Sequence, residues 1–184
     1  MAAPRSRPRA KARRSHLPLP RLPRRLALAA AALCVAAAPA PRVHIASLKW
    51  LPTPLPAPYD PAANAAAQLA AAGARAKASG RLLLIDLGGN WCPDCRLLAG
   101  VMGLPEVKAF IDAHYVVVTV DVGHMDRNLD IPRRYGITRL EGVPSLLVVD
   151  SHGRLIDGGH IAALSDARSM SPQALADWLA QWTP

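Results

Sequence analysis

The sequence predicts an α/β domain, a central mixed sheet flanked by helices, and three observations predict it. Residues 81–87 form an apolar run broken by a single carboxylate, and residues 115–122 form a second run rich in valine. Neither run alternates apolar with polar residues, so both faces of each strand are expected to be covered, as in central strands of a sheet with parallel members. The stretch between them carries two helical patterns, 93–102 and 105–114, with Gly103 as the break, which gives the order strand, helix, strand.

The elements follow in chain order. Residues 1–40 hold nine Lys or Arg and no acid, and residues 41–184 hold thirteen charges of each sign, so the net charge of +9 belongs to the N-terminus and the folded part is neutral. The basic stretch ends at Arg24-Arg25 and runs into thirteen apolar residues, 26–38. A positive segment, a short apolar segment and small residues beyond it predict a secretory signal peptide or an N-terminal membrane anchor over residues 1–40. Thirteen residues fall short of the roughly 20 that span a bilayer, which favours export followed by cleavage. No aromatic side chain lies among these arginines to stack on bases, so no nucleic-acid partner is expected.

Pro52, Pro54, Pro56 and Pro58 make residues 41–59 a Pro-rich linker, read as a semi-extended tether. The domain is expected over residues 60–184. Asp60-Pro61 reads as an N-cap with proline at the first helical position, opening an Ala-rich helix that stops at Gly80. After the second strand, His124-Met125-Asp126-Arg127 reads as a solvated loop. Residues 145–149, the turn Asp150-Ser151-His152-Gly153 and residues 154–157 predict an antiparallel hairpin. Ser171-Pro172 then caps a last helix reaching about residue 182, with Trp178 and Trp182 on its apolar face.

Cysteine usage points to chemistry. Of Cys34, Cys92 and Cys95, the last two form a C-x-x-C pair and alone would survive loss of the N-terminal segment. A ring of four residues constrains an unfolded chain little, so an exported protein keeping only this pair is expected to use it for redox chemistry. Cys92 falls where a strand passes into a helix, and free N–H groups and the helix dipole there favour an anion. Cys95, one helical turn on, can attack a mixed disulfide formed on Cys92, so Cys92 attacks and Cys95 resolves. Zinc would need two more ligands, and His114, His124, His152 and His160 lack ligand spacing, so no metal is expected. No cofactor is expected beyond the redox-active disulfide Cys92-Cys95.

Asp86 lies inside the first apolar strand, where a carboxylate is costly unless paired or protonated. Its position six residues before Cys92 places it on the strand that ends beneath the reactive helix, as a proton acceptor for a thiol. A bland alternative puts it at the strand's end in water. Pro144 precedes the apolar strand 145–149, where an X-Pro bond can be cis, although the residues alone favour a trans turn.

Leu84-Ile85-Asp86-Leu87, Trp91-Cys92-Pro93-Asp94-Cys95, Tyr135-Gly136-Ile137 and Gly142-Val143-Pro144 together resemble the thioredoxin family over roughly residues 60–184. The resemblance implies the thioredoxin fold, Cys92 as nucleophile, Cys95 as resolving thiol, Asp86 assisting proton transfer and a cis Pro144 beside the disulfide. It further implies that the backbone of Val143 pairs with an extended substrate segment and that Trp91 and Pro144 border the substrate groove. Exported bacterial, periplasmic members are the most similar in organisation. Three departures stand out: Pro93-Asp94 between the cysteines, Val117 near the usual place of a lysine partner for the buried acid, and insertions at 123–129 and 138–141.

The direction of electron flow is read from Pro93 and Asp94. Proline removes an N–H and aspartate adds a negative charge beside the thiols, both of which work against a stabilised Cys92 thiolate and so against an oxidant. Arg96 partly offsets this. The expected activity is reduction of protein disulfides, with protein thiol or disulfide substrates, a membrane thiol transporter as electron donor and a monomeric state. A disulfide donor and a redox-inert binding module are the alternatives.

Overall fold

The computed structural model describes residues 38–184. Nearly all of the expected signal or anchor segment therefore lies outside the described residues. Among the described residues no helix is long and apolar enough to cross a membrane.

Three strands make the sheet, in the order β2-β1-β3: β1 is Leu82–Gly88, β2 is Tyr115–Asp121 and β3 is Ser145–Val149. The first two pair in parallel and the third is antiparallel to β1, so the sheet is mixed as the sequence predicts. The central strand β1 is buried at six of its seven positions, which is why its sequence reads as an apolar run rather than an alternation. On one face Leu83, Ile85 and Leu87 pack with Val116, Val118 and Val120 against α1, Ala65–Ser79, through Ala65, Leu69, Ala72 and Ala76. On the other, Leu84, Leu146 and Val148 pack against α2 (Pro93–Met102), α3 (Pro105–His114) and α5 (Pro172–Ala180). A single turn, α4 (Asp130–Arg133), follows β2.

Helix α1 begins four residues later than Asp60 predicts. Asp60 accepts from the N–H of Ala62 at 2.9 Å and so closes a local turn, whereas Asn64 accepts from Ala67 at 3.0 Å and caps the helix. Its far end is where the sequence places it, because Gly80 turns left-handed at φ +68°.

The expected hairpin is reduced to one bridge, Val149 with Leu155. The carboxylate of Asp157 takes the place of a main-chain partner, accepting from the N–H of Val148 at 3.1 Å. Asp157 is itself fully buried, and main chain meets this edge as well, Ile156 donating to Val148 and Leu146 to Ile161, without a fourth strand among the described residues.

Residues 41–59 are not a tether. They lie along the domain, with Leu51 and Tyr59 buried and Leu55 packed beside Leu51 over Gly100. Prolines give the segment its extended shape, and side chains of the domain hold it: Arg96 donates to the carbonyls of Leu55 (2.8 Å) and Pro56 (3.1 Å), and Thr119 to that of Pro58 (3.1 Å). Backbone N–H groups of Val43 and His44 donate to Gln173 and Glu106. A run with few N–H donors of its own is satisfied by donors from outside, a pattern that proline content alone does not reveal.

Candidate active site

Cys92 is the N-cap of α2. Its extended backbone, φ −83° and ψ 116°, lets the sulfur fold back over the first turn, where it accepts from the N–H of Cys95 at 3.2 Å. Pro93 occupies the first helical position, which needs no donor of its own. Both cysteines are free thiols and both are buried, Cys95 completely. Burial pushes the Cys95 thiol far up, and its hydrogen bond with Cys92 acts in the same direction.

The loop before β3 closes over the pair. The peptide bond between Val143 and Pro144 is cis, and the Val143 carbonyl accepts from Cys92 Sγ at 3.4 Å. Trp91 stands beside this contact and is 46 % exposed. Its indole N–H donates to the carbonyl of Gly123 at 2.8 Å, and its ring stacks on His124 with centroids 4.4 Å apart. Residues 124–127 are exposed, as expected of a solvated loop, but they are also built into the site's rim: Asp121 and Asp126 accept from the N–H groups of Gly123 and His124, and Asn128 donates to Asp121. Among the described residues no group of three or more His, Cys, Asp and Glu is placed to hold a metal ion.

Asp86 is 1 % exposed. Burial pushes its carboxyl up to about 7, although a hydrogen bond from Tyr59 pulls the other way. The Tyr59 hydroxyl lies 2.9 Å from each carboxylate oxygen, and this tyrosine is itself wholly buried. In the register of the sheet Asp86 pairs with Thr119, while Val117 pairs with Leu84 one step along the same face. Val117 does line the apolar cavity that reaches Asp86, but the partner of the acid comes from the N-terminal segment and not from β2.

Asp94 does not bring a free negative charge to the thiols. It is 2 % exposed and turned toward Arg168, whose backbone N–H donates to it at 2.8 Å and whose guanidinium grips both carboxylate oxygens. Burial pushes the Asp94 carboxyl up, but the Arg168 hydrogen bonds outweigh it and hold the group below the usual carboxylate range. Arg96, expected to offset Asp94, is instead engaged with the 55–56 backbone. The charge on Asp94 is compensated locally, so it cannot set the direction of electron flow in the way its sequence position implies.

Tyr59 and Arg168 are the two site residues that sequence reasoning missed. The signal for Tyr59 is an aromatic residue at the end of a Pro-rich run, immediately before the turn at Asp60. Arg168 carries no local signal, since it reaches Asp94 across 74 residues.

A profile of thioredoxin-like proteins matches residues 64–151. The crystal structure of a disulphide isomerase from Xylella fastidiosa Temecula1 is 37 % identical, over 69 % of this chain and 97 % of that one, with a TM-score of 0.65. The solution structure of a thioredoxin from Thermus thermophilus is 27 % identical over 49 % of this chain and 68 % of that one, with a TM-score of 0.39. No curated protein matches the chain.

Proposed function

The chain belongs to the thioredoxin-like family, and from that premise we propose that it is a thiol-disulfide oxidoreductase that reduces protein disulfides through Cys92 and Cys95 in an exported, periplasmic compartment. The observation that carries the reading is the placement of the pair. Cys92 Sγ caps a helix, meets the resolving residue's own N–H, and faces the Val143 carbonyl beside an exposed indole.

The reaction has two steps. Cys92 attacks a substrate disulfide, forming a mixed disulfide and releasing one substrate sulfur. Cys95 then attacks Cys92, forming the intramolecular disulfide and releasing the second substrate sulfur, so two electrons pass from enzyme to substrate. An extended substrate segment lies against the backbone of Val143, with Trp91 and Pro144 as the walls of its groove.

Reduction is favoured over donation by the surroundings of Cys92. Its sulfur receives one backbone N–H, Pro93 supplies none, and a carbonyl oxygen faces it. A dithiol with so few donors around it gains little in its reduced form and passes its electrons on. Isomerisation is the second reading, favoured by the name of the Xylella relative. Export rests on the basic and apolar N-terminal pattern, and a membrane thiol transporter would restore the dithiol. The protein acts as a monomer, soluble after cleavage or held by an uncleaved segment.

Turbidimetric insulin reduction with dithiothreitol as donor tests the assignment. Wild type is expected to accelerate precipitation, Cys92→Ser to lose the activity, and Cys95→Ser to accumulate the mixed disulfide visible by mass. A wild type that does not accelerate precipitation over the dithiothreitol background would leave only a binding role. Renaturation of scrambled ribonuclease separates isomerisation from reduction.

A further inference from the structure

Tyr59 of the N-terminal segment, Asp86 of β1 and Cys95 of α2 bring three polar groups together in an otherwise apolar interior. The Tyr59 hydroxyl is bonded to both oxygens of Asp86, and its other close polar neighbour is the Cys95 sulfur, which approaches the same point above Gly88. Gly88 makes room for that contact: a methyl group there would stand 2.6 Å from the Tyr59 hydroxyl and 2.9 Å from Cys95 Sγ. The phenol is therefore fitted between the resolving sulfur and the buried acid.

Its position is fixed by more than packing. Asn90, two residues before Cys92, accepts from the Tyr59 N–H at 3.1 Å and donates to the Tyr59 carbonyl at 2.7 Å, holding that backbone from both sides. Thr119, the register partner of Asp86, ties down the preceding carbonyl of Pro58. Every anchor of this short stretch comes from an element of the active site.

We propose that Tyr59 carries the proton of Cys95 to Asp86 as Cys95 attacks the mixed disulfide on Cys92. The inference rests on the thiol-disulfide reading above. The Cys95 proton moves to the Tyr59 oxygen while the Tyr59 proton moves to the Asp86 carboxylate, so the phenol is unchanged at the end. The electron pair left on Cys95 forms the bond to Cys92 Sγ, and the substrate sulfur leaves as a thiolate with the pair of the broken disulfide. Cys95 is oxidised with Cys92, the substrate is reduced, and one proton rests on Asp86. Burial and the neighbouring Asp86 hold the phenol well above its ordinary range, so it passes a proton rather than storing a charge. Asp86 also borders a mostly apolar cavity of about 380 Å³, with Pro56, Pro58, Met102 and Val117.

Stopped-flow reaction of the full-length reduced protein with Ellman's reagent separates the two chemical steps, since each releases one thionitrobenzoate. Tyr59→Phe keeps the ring and removes the relay; its first phase is expected at the wild-type rate, and its second phase slowed about 100-fold near neutral pH, with recovery as pH rises and hydroxide takes the proton directly. Asp86→Asn is expected to slow the same phase. Asn90→Ala, which keeps the hydroxyl but frees its backbone, is expected to slow it less, and serves if Tyr59→Phe does not fold. A second phase in Tyr59→Phe with wild-type rate and pH dependence overturns the relay. Absence of any second phase in wild type overturns the oxidoreductase reading instead.

Discussion

A carboxyl group in the middle of β1 binds its proton more tightly in the folded chain than in the unfolded one. Asp86 is raised from 3.8 to about 7 because burial penalises its charge more than the Tyr59 hydrogen bond favours it. The folded state therefore holds a proton here that the unfolded state has lost, and stability falls as pH rises between these values. The contribution is complete below about pH 4 and is lost by about pH 7, leaving a buried charge at higher pH. At about 1.4 kcal/mol per unit the full span is on the order of 4 kcal/mol. Asp86→Asn should thus be more stable than wild type by about 2–4 kcal/mol at pH 8 and nearly equal to it at pH 4, as read by urea unfolding at the two pH values. Equal effects at both pH values would mean that Asp86 does not titrate between the folded and unfolded chains.

What the sequence shows at this scale depends on distance along the chain. Cys92, Cys95 and Asp86 lie within ten residues, and the run from strand to helix places them together before any tertiary contact is known. Tyr59 meets Asp86 across 27 residues and Arg168 meets Asp94 across 74. Nothing in a local pattern records such a pairing, which is why Asp94 reads as a free charge and Asp86 as an acid without a partner.

At the scale of elements, both strands of the parallel pair and the helices between them were legible, because continuous apolar runs and the Gly103 break have no other economical reading. Boundaries set by a competing side-chain bond were not: Asp60 closes a local turn with its carboxylate, and the Asp157 carboxylate takes the Val148 N–H where a strand partner would stand. The 3₁₀ turn Ala167–Ser169 is bound to α2 through Arg168 and Asp94. Arg168→Ala leaves a buried carboxylate without its cation. Breaking a pair buried on both sides is strongly destabilising, and a smaller loss is expected here because the arginine side chain is more than half exposed and solvent screens the pair. Chemical denaturation of the variant measures this, and a loss below about 0.5 kcal/mol would mean that solvent already compensates Asp94.

The N-terminal segment makes the larger correction. Proline spacing led to a tether, yet Leu51 and Tyr59 are as buried as residues of the core. Burying a large side chain contributes about 1.5–3 kcal/mol, so a protein beginning at residue 60 should be less stable than the full chain by roughly 3–6 kcal/mol. Thermal unfolding of the two forms decides it. Equal midpoints would return the segment to the role of a spacer.

For the whole molecule, the fold and the chemistry converge on one site. The crossover from β1 to α2 presents Cys92, the loop before β3 covers it, and the N-terminal segment inserts a phenol beneath Cys95. Neutrality of residues 41–184 is consistent with varied protein clients rather than a polyanionic partner. The reduction potential of the Cys92-Cys95 couple, found by equilibrating the full-length protein against defined thiol buffers, tests this account most directly. A value near roughly −270 mV is predicted and would place the pair among reductants, whereas a value near about −120 mV, or failure to form a reversible disulfide, would contradict it.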